Sequence, residues 1–329
     1  MMERTQSVWK LIQTKKIGEA ASKFLVEYGA MLALGLLILW NILFTKNFLQ
    51  ISTLFLVIKQ ATALLFITIG MTIVISSGGT DISAGSMMAF CGVIIMLALR
   101  RGIPLPAAIL AGLLSCCAIG ALNGLLIAKA GIQPIIHTLV MQIVLRGFTV
   151  MLANSKVVSM AKYEGIRFLG ITRIAQAIPI QLLYFIFVAA FGYILVKKTV
   201  FGKMVEAVGG NLKAARLCGI RTQRILILVY MLSGFMAGLG GLVEMSKSGA
   251  LDPNLLGYQF ELDAIASVAI GGTAMKGGKA HIFGSILGCV IMILITTTVN
   301  MNNIPFAYSN LIKSIIIIVS LAVQKEQAV

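Results

Sequence analysis

The sequence predicts an all-α integral membrane protein, a polytopic bundle of about ten transmembrane helices with some of them short or broken and both termini in the cytoplasm. Three observations carry that prediction. Of 329 residues, 59% are hydrophobic and 12% charged, against about 45–50% and about 25% in soluble domains. The apolar residues are gathered into separate runs close to the roughly 20 residues that a helix needs to span a bilayer. The basic residues are shared unevenly between the stretches that connect those runs. A soluble enzyme, a disordered tail and a disulfide scaffold are all excluded by this composition.

Taken in order, the apolar runs lie at 28–45, 51–77, 83–99, 104–128, 132–153, 179–196, 225–245, 259–272, 282–301 and 306–323. Several contain Gly, Ser or Thr, which spanning helices use for close packing. The runs at 83–99 and 259–272 are short, as tilted, broken or re-entrant segments are. Residues 1–27 are polar and basic, with no cleavage-site pattern, and read as a cytoplasmic tail in which Trp9 could sit on an interfacial helix. Residues 28–323 then form one transmembrane domain, and 324–329 a second cytoplasmic tail. Two polar stretches exceed ordinary turns: 154–178, expected outside, and 197–224, expected inside.

The formal charge is +16. Lys and Arg are scattered between apolar runs, so the charge reads as membrane orientation and no nucleic-acid partner is expected. With the N-terminus inside, the inner stretches carry roughly twice the basic residues of the outer ones, Arg100–Arg101 being the awkward pair. The five cysteines, Cys91, Cys116, Cys117, Cys218 and Cys289, show no metal spacing and read as small membrane hydrophobes.

The inner stretch FGKMVEAVGGNLKAARLCGIRTQR (201–224) is the most informative. Gly209 and Gly210 break the chain, Asn211 is a good N-cap, Leu212 to Cys218 can make about two helical turns, and Gly219 is a natural stop. Small Ala214 and Ala215 leave one flank open to close approach, and Lys213, Arg216, Arg221 and Arg224 surround it with positive charge. A short capped helix without a core of its own wants a partner, although an ordinary positive-inside connector has the same charges.

Polar residues inside the apolar runs need reasons, because lipid burial is costly unless they are paired or wet. Asp81 follows the Gly78-Gly79 break and reads either as a helix-break residue beside a translocation path or as a cap, with Ser83, of the next helix. Glu261 and Asp263 open a short span, as first-turn dipole partners or paired with Lys247 or Lys313. Asn123 and Gln142 read as bridges between helices, Arg146 and Lys59 as snorkelling or paired cations, His137 as a lone ring at a span end and His281 as solvated. IVISSGGT (73–80) and SVAIGGT (267–273) end alike, from a duplicated unit or from chance.

Residues 272–280, GTAMKGGKA, superficially suggest a phosphate loop. The glycine spacing is one residue too long, Ala stands where Mg²⁺ binding needs Ser or Thr, and no strand precedes it. No catalytic, metal or cofactor-binding set is found, so any ATP must be hydrolysed by another chain.

Four stretches, in order, carry a resemblance. Glu206-Ala207-Val208-Gly209-Gly210-Asn211, with Ala214, Ala215, Gly219 and Ile220 at the matching spacing, resembles the coupling motif of bacterial ABC-transporter permeases of the ribose/galactose/xylose branch. Gly78-Gly79-Thr80-Asp81-Ile82-Ser83-Ala84-Gly85-Ser86 resembles that family's G-G-x-D-L-S-x-G-S segment. Gly120 to Ile127, containing Asn123, resembles its Asn-Gly helix end, and Glu261 to Ala266 followed by Gly271-Gly272-Thr273 resembles its E-L-D-A-I-A…G-G-T signature. The chain departs from the family at Leu212-Lys213, where Pro-Glu is common. The resemblance implies an ATP-driven importer of a monosaccharide, pentose or hexose. The implied partners are a separate ATP-binding subunit, a periplasmic or lipid-anchored solute-binding protein, and a second permease subunit, identical or not. The 211–218 helix would transmit the ATPase stroke. Gly78, Gly79, Asp81, Ser83, Gly85, Asn123, Glu261 and Asp263 are the candidates for helix breaks or the translocation path. The alternative from the residues alone is an ion-gradient-driven carrier or channel with Asp81 or Glu261 as its ion site.

Overall fold

The computed structural model describes residues 29–174 and 178–326; the expected tail 1–27, with Trp9, and residues 327–329 lie outside the described residues. Each of the ten apolar runs contains a helix. α1 spans Gly29–Phe44. There follow α2 (Ile51–Ser76), α3 (Ala84–Arg100), α4 (Leu105–Ala130), α5 (Pro134–Leu152), α6 (Glu164–Ile171), α7 (Gln181–Lys198), α8 (Val200–Gly210), α9 (Leu212–Leu217), α10 (Thr222–Ser248), α11 (Phe260–Ile270), α12 (Ile282–Met301) and α13 (Phe306–Glu326). Among the described residues, α2, α4, α5, α7, α10 and α12 are long and apolar enough to cross a membrane. The chain is therefore a polytopic membrane bundle. α11, at 11 residues, reaches only about 16 Å and does not cross by itself.

Burial sorts the long helices into two shells. In α2, α10 and α12 the most apolar window is 61–67% buried, whereas in α4, α5 and α7 it is 22% buried. The first three form the centre and the others turn large apolar side chains outward, among them Leu114 and Ile143. In water such exposure would mark an aggregation hazard; in lipid it is the solvent-facing surface.

Small residues set the closest approach. A Cβ added at Gly120 would collide with the Tyr230 carbonyl, one at Gly124 with the backbone of Ile227, and one at Gly234 with the Cys116 carbonyl. Glycines four apart on α4 thus let α10 lie backbone to backbone against it, where lipid supplies no hydrophobic drive and close packing must do the work. Most intramembrane hydroxyls are satisfied within their own helix, at the carbonyl four residues back: Thr62, Thr72, Ser76, Thr149, Ser246, Thr297 and Thr298 do so at 2.6–2.8 Å.

The described residues of 154–174 and 178–179 carry short strands and a helix. β1 (Val158–Ser159) pairs antiparallel with β4 (Ala250–Leu251), and β2 (Arg173–Ile174) with β3 (Ile178–Pro179). Between them α6 lies against the end of α10, Gly170 close on the Ser246 carbonyl, and Gln181 Nε2 donates to the Gly170 carbonyl at 2.5 Å.

Candidate functional site

The stretch 197–224 folds as α8 and α9 joined at one residue. Asn211 is extended (φ −158°, ψ 101°) and its side chain accepts from Ala214 N at 3.0 Å, which is the N-cap geometry. Gly219, at φ +83°, ends the helix in the left-handed region that suits glycine. The break falls at Asn211 itself, for α8 continues through Gly209 and Gly210. On α9 only Ala215 is buried, Leu217 is 89% exposed, and Leu212, Lys213, Ala214, Arg216 and Arg221 are exposed. Ile220 N returns to the Ala215 carbonyl at 3.1 Å. The result is a protruding six-residue helix with apolar knobs in a basic rim.

The end of α8, which carries α9, sits in a seat built from glycine. A Cβ on Gly209 would overlap the Ser76 carbonyl at the end of α2 and stand 2.8 Å from Gly278 N; one on Gly277 would stand 2.9 Å from Gly78. Gly278 N donates to that same Ser76 carbonyl at 2.9 Å. Gly78, Gly277 and Gly278 have φ of +86°, +93° and +104°, so their backbones need glycine as well as their contacts. Glu206 of α8 accepts from Lys197 Nζ at 3.0 Å and from Ala280 N at 2.9 Å, clamping α8 to the 271–281 segment. Gly78, Gly209 and Gly277-Gly278, far apart in sequence, therefore meet at the end of α8, just before the chain turns into α9. The segment that looks like a phosphate loop follows a helix, α11, and serves as part of this seat. The Gly-Gly-Thr echo is offset by one in the backbone: the left-handed residue is Gly78 in one copy and Gly272 in the other.

Asp81 lies in a closed network. Its Oδ1 accepts from Ser83 N at 3.1 Å and Ser83 Oγ at 2.6 Å, and its Oδ2 from Ser233 Oγ of α10 at 2.8 Å. Asn123 Nδ2 of α4 donates to Ser83 Oγ at 3.1 Å, and Asn123 Oδ1 lies 3.0 Å from His137 Nε2 of α5. Asp81, Ser83 and Asn123 are fully buried. Both carboxylate oxygens are satisfied, which is the condition for a charge to be tolerated there. Gly79 belongs to the same knot, because a Cβ there would strike the Tyr230 hydroxyl, itself 3.4 Å from the Thr80 carbonyl.

Glu261 and Asp263 part company. Asp263 pairs with Lys313 of α13 at 2.7 Å, while Lys247 pairs with Glu244. Glu261 accepts from Gln142 Nε2 of α5 at 2.7 Å, and Gly85 leaves the room its other oxygen occupies, for a Cβ there would overlap it. Arg146 Nη1 donates to the carbonyls of Pro253 and Leu256 at 3.0 and 2.8 Å. His281 is half-buried rather than solvated. Cys91, Cys116 and Cys289 are buried and Cys218 is exposed. Among the described residues no three His, Cys, Asp or Glu gather as a metal site. Gln142 and Arg146 are the pair a residue-by-residue reading undervalues; two long polar residues four apart on an apolar helix share one face, and that is the signal that marks it.

The chain matches, over residues 53–321, the family described as the permease component of branched-chain amino acid transport systems. It is 32% identical over 308 residues to the ribose import permease protein of Escherichia coli K12, covering 92% of this chain and 95% of that one. It is 34% identical to the fructose import permease protein of Bifidobacterium longum, covering 82% and 79%. With the D-allose transport system permease protein of E. coli K12 the identity is 29%, over 91% of each chain. No solved structure matches it.

Proposed function

We propose, for a chain that belongs to the permease-component family of ABC importers, that it forms the membrane path for a monosaccharide and takes its power stroke through α9. It is a multi-pass protein of the bacterial cytoplasmic membrane and a transport subunit, not itself catalytic. The cargo reading, a pentose or hexose, is supported by relatives whose names specify ribose, fructose and allose. In this proposal both termini and the 197–224 stretch face the cytoplasm, 154–178 faces outward toward a solute-binding protein, and residues 28–323 work as one domain beside a second permease subunit, identical or not.

One observation carries the coupling role: α9 protrudes with Leu217 almost fully exposed, and the end of α8 that carries it is seated too tightly for any side chain at Gly209. A separate ATP-binding subunit gripping α9 would push on α2, α8 and the 271–281 segment together, since all three meet there. Packed junctions of this kind shift between discrete states rather than deforming continuously. The ion-driven alternative needs an accessible carboxylate, and Asp81 is closed off by Ser83 and Ser233 while Glu261, its other candidate, is buried and held at one oxygen by Gln142.

The test is co-purification. The detergent-solubilised protein should retain an ATP-binding subunit, and Leu217→Asp should lose it while remaining monodisperse, because that side chain supports nothing inside the fold. Retention of no ATPase in several mild detergents would turn the reading toward an ion-coupled carrier.

A further inference from the structure

We infer that the cavity between α5, α3 and the 252–258 segment is a hydroxyl-recognition site at which the permease itself discriminates its polyhydroxylated cargo, an inference that rests on the importer reading above. The cavity has a volume of 670 Å³ and is lined by Ser86, Gln142, Arg146, Asn254 and Tyr258 among apolar α5 residues, within the roughly 300–1,000 Å³ of small-molecule sites. Such sites combine apolar walls with a few fixed polar groups.

One orphaned atom marks it, and a second lies behind its wall. Ser86 Oγ is fully buried, lines the cavity and has no hydrogen-bond partner among the described residues. Glu261 is 4% exposed, and its Oε2 is likewise unpartnered although Oε1 is held by Gln142. Buried polar atoms are nearly always paired, so the unpaired Ser86 hydroxyl in the cavity wall calls for a ligand or for water; Glu261 does not line the cavity and reaches it only through Gln142. The neighbours supply complementary chemistry. A carboxylate at Oε1 commits the Gln142 amide N–H, which leaves the amide oxygen as an acceptor. Arg146 spends Nη1 on two carbonyls, and its remaining N–H groups are donors. Asn254 offers both donor and acceptor. A hydroxyl both donates and accepts, so a mixed set of this kind suits vicinal hydroxyls better than a carboxylate, an amine or an apolar solute. Tyr258, 60% exposed, adds an aromatic wall for the C–H face of a ring. Asp81 does not line the cavity.

The test uses the whole transporter, with its ATPase and binding protein, in proteoliposomes, and as probe whichever of D-ribose, D-fructose or D-allose the unsubstituted complex takes up. The first arm places a reporter. A Cβ at Gly147 meets nothing within 4 Å, so Gly147→Cys adds a thiol on the α5 face that carries the cavity. Its maleimide labelling during turnover, read at that position by peptide mass spectrometry, should slow several-fold with the transported sugar and not with its L-enantiomer. The second arm removes hydroxyl partners: Ser86→Ala and Gln142→Ala should each lower sugar delivered per ATP hydrolysed by about tenfold, the worth of one lost hydrogen bond to a desolvated partner. Equal labelling with both enantiomers, together with unchanged sugar per ATP, overturns the site while leaving the importer reading in place. Absence of ATP-driven uptake of any of the three sugars by the unsubstituted complex overturns the importer reading and the site with it.

Discussion

Gly209 and Gly210 are adjacent in one helix, yet they should respond oppositely to the same methyl group. At Gly209 the added Cβ overlaps the Ser76 carbonyl and presses on Gly278 N, the two partners of a 2.9 Å hydrogen bond. Overpacking a tight contact costs about 1–3 kcal/mol, and parting a buried carbonyl from its donor about 1–3 kcal/mol. Replacing helical glycine by alanine returns only about 0.5–1 kcal/mol. The net for Gly209→Ala is a loss of about 3 kcal/mol in the closed seat, about a hundredfold in any equilibrium that requires it. At Gly210 nothing lies within 4 Å, so Gly210→Ala keeps the helical gain and should be at least as stable as the parent. Membrane proteins often unfold irreversibly, so the assay is the order of apparent melting temperatures in one detergent, read beside ATP-driven uptake in cells. The expected order is Gly210→Ala at or above parent, parent, then Gly209→Ala, with uptake lost only in the last. Equal melting and equal uptake for the two alanine variants would refute the close approach of α8 to α2.

Asp81→Ala strands the Ser83 amide and hydroxyl and the Ser233 hydroxyl, costing about 1–3 kcal/mol for each group left unpaired; membrane yield and melting should fall, and uptake that survives should stay insensitive to proton and sodium ionophores. Lys313→Met leaves Asp263 without its cation and should cost about 3 kcal/mol, the low end for a buried pair because Asp263 keeps some exposure; Lys313→Met with Asp263→Leu should recover most of it, and a double variant no better than the single one would contradict the pairing. Asn211→Ala removes the α9 cap, about 1 kcal/mol, and should weaken ATPase retention by about tenfold or less without altering melting; unchanged retention would argue that α9 is not gripped.

The helices were readable because their flanks are marked. The run 282–301 coincides with α12, and 51–77 with α2 to within a residue. The run 259–272 shrinks to α11 because Gln259 enters at φ +65° and Gly271-Gly272 leaves it. Asn211 as a cap was legible, since capping is a local matter of four residues. The break at Gly209-Gly210 was not, since a glycine required by a neighbour's carbonyl looks the same in sequence as one required by its own dihedral angles. The seat at the end of α8 joins residues about 130 and about 70 positions apart, and Gln142 meets Glu261 across 119; single-sequence periodicity is blind to both. The strand at 158–159 escaped for the same reason, being completed by residues 250–251.

The intramembrane hydroxyls that bond four residues back along their own helices have a mechanical consequence. A hydroxyl spent on its own backbone imposes no preferred alignment on the next helix, so the apolar flanks of α2 and α10 meet without a described side-chain hydrogen bond between them, whereas α12 is tied to α2 by Thr297 and Gln60. The cross-helix polar bonds described here gather instead at a few knots, around Asp81, around Glu261, at Asp263–Lys313 and around Asn41, Thr45 and Gln60. On the proposed transport role, these knots are the points about which the bundle would pivot, and the runs between them the surfaces along which it would slide.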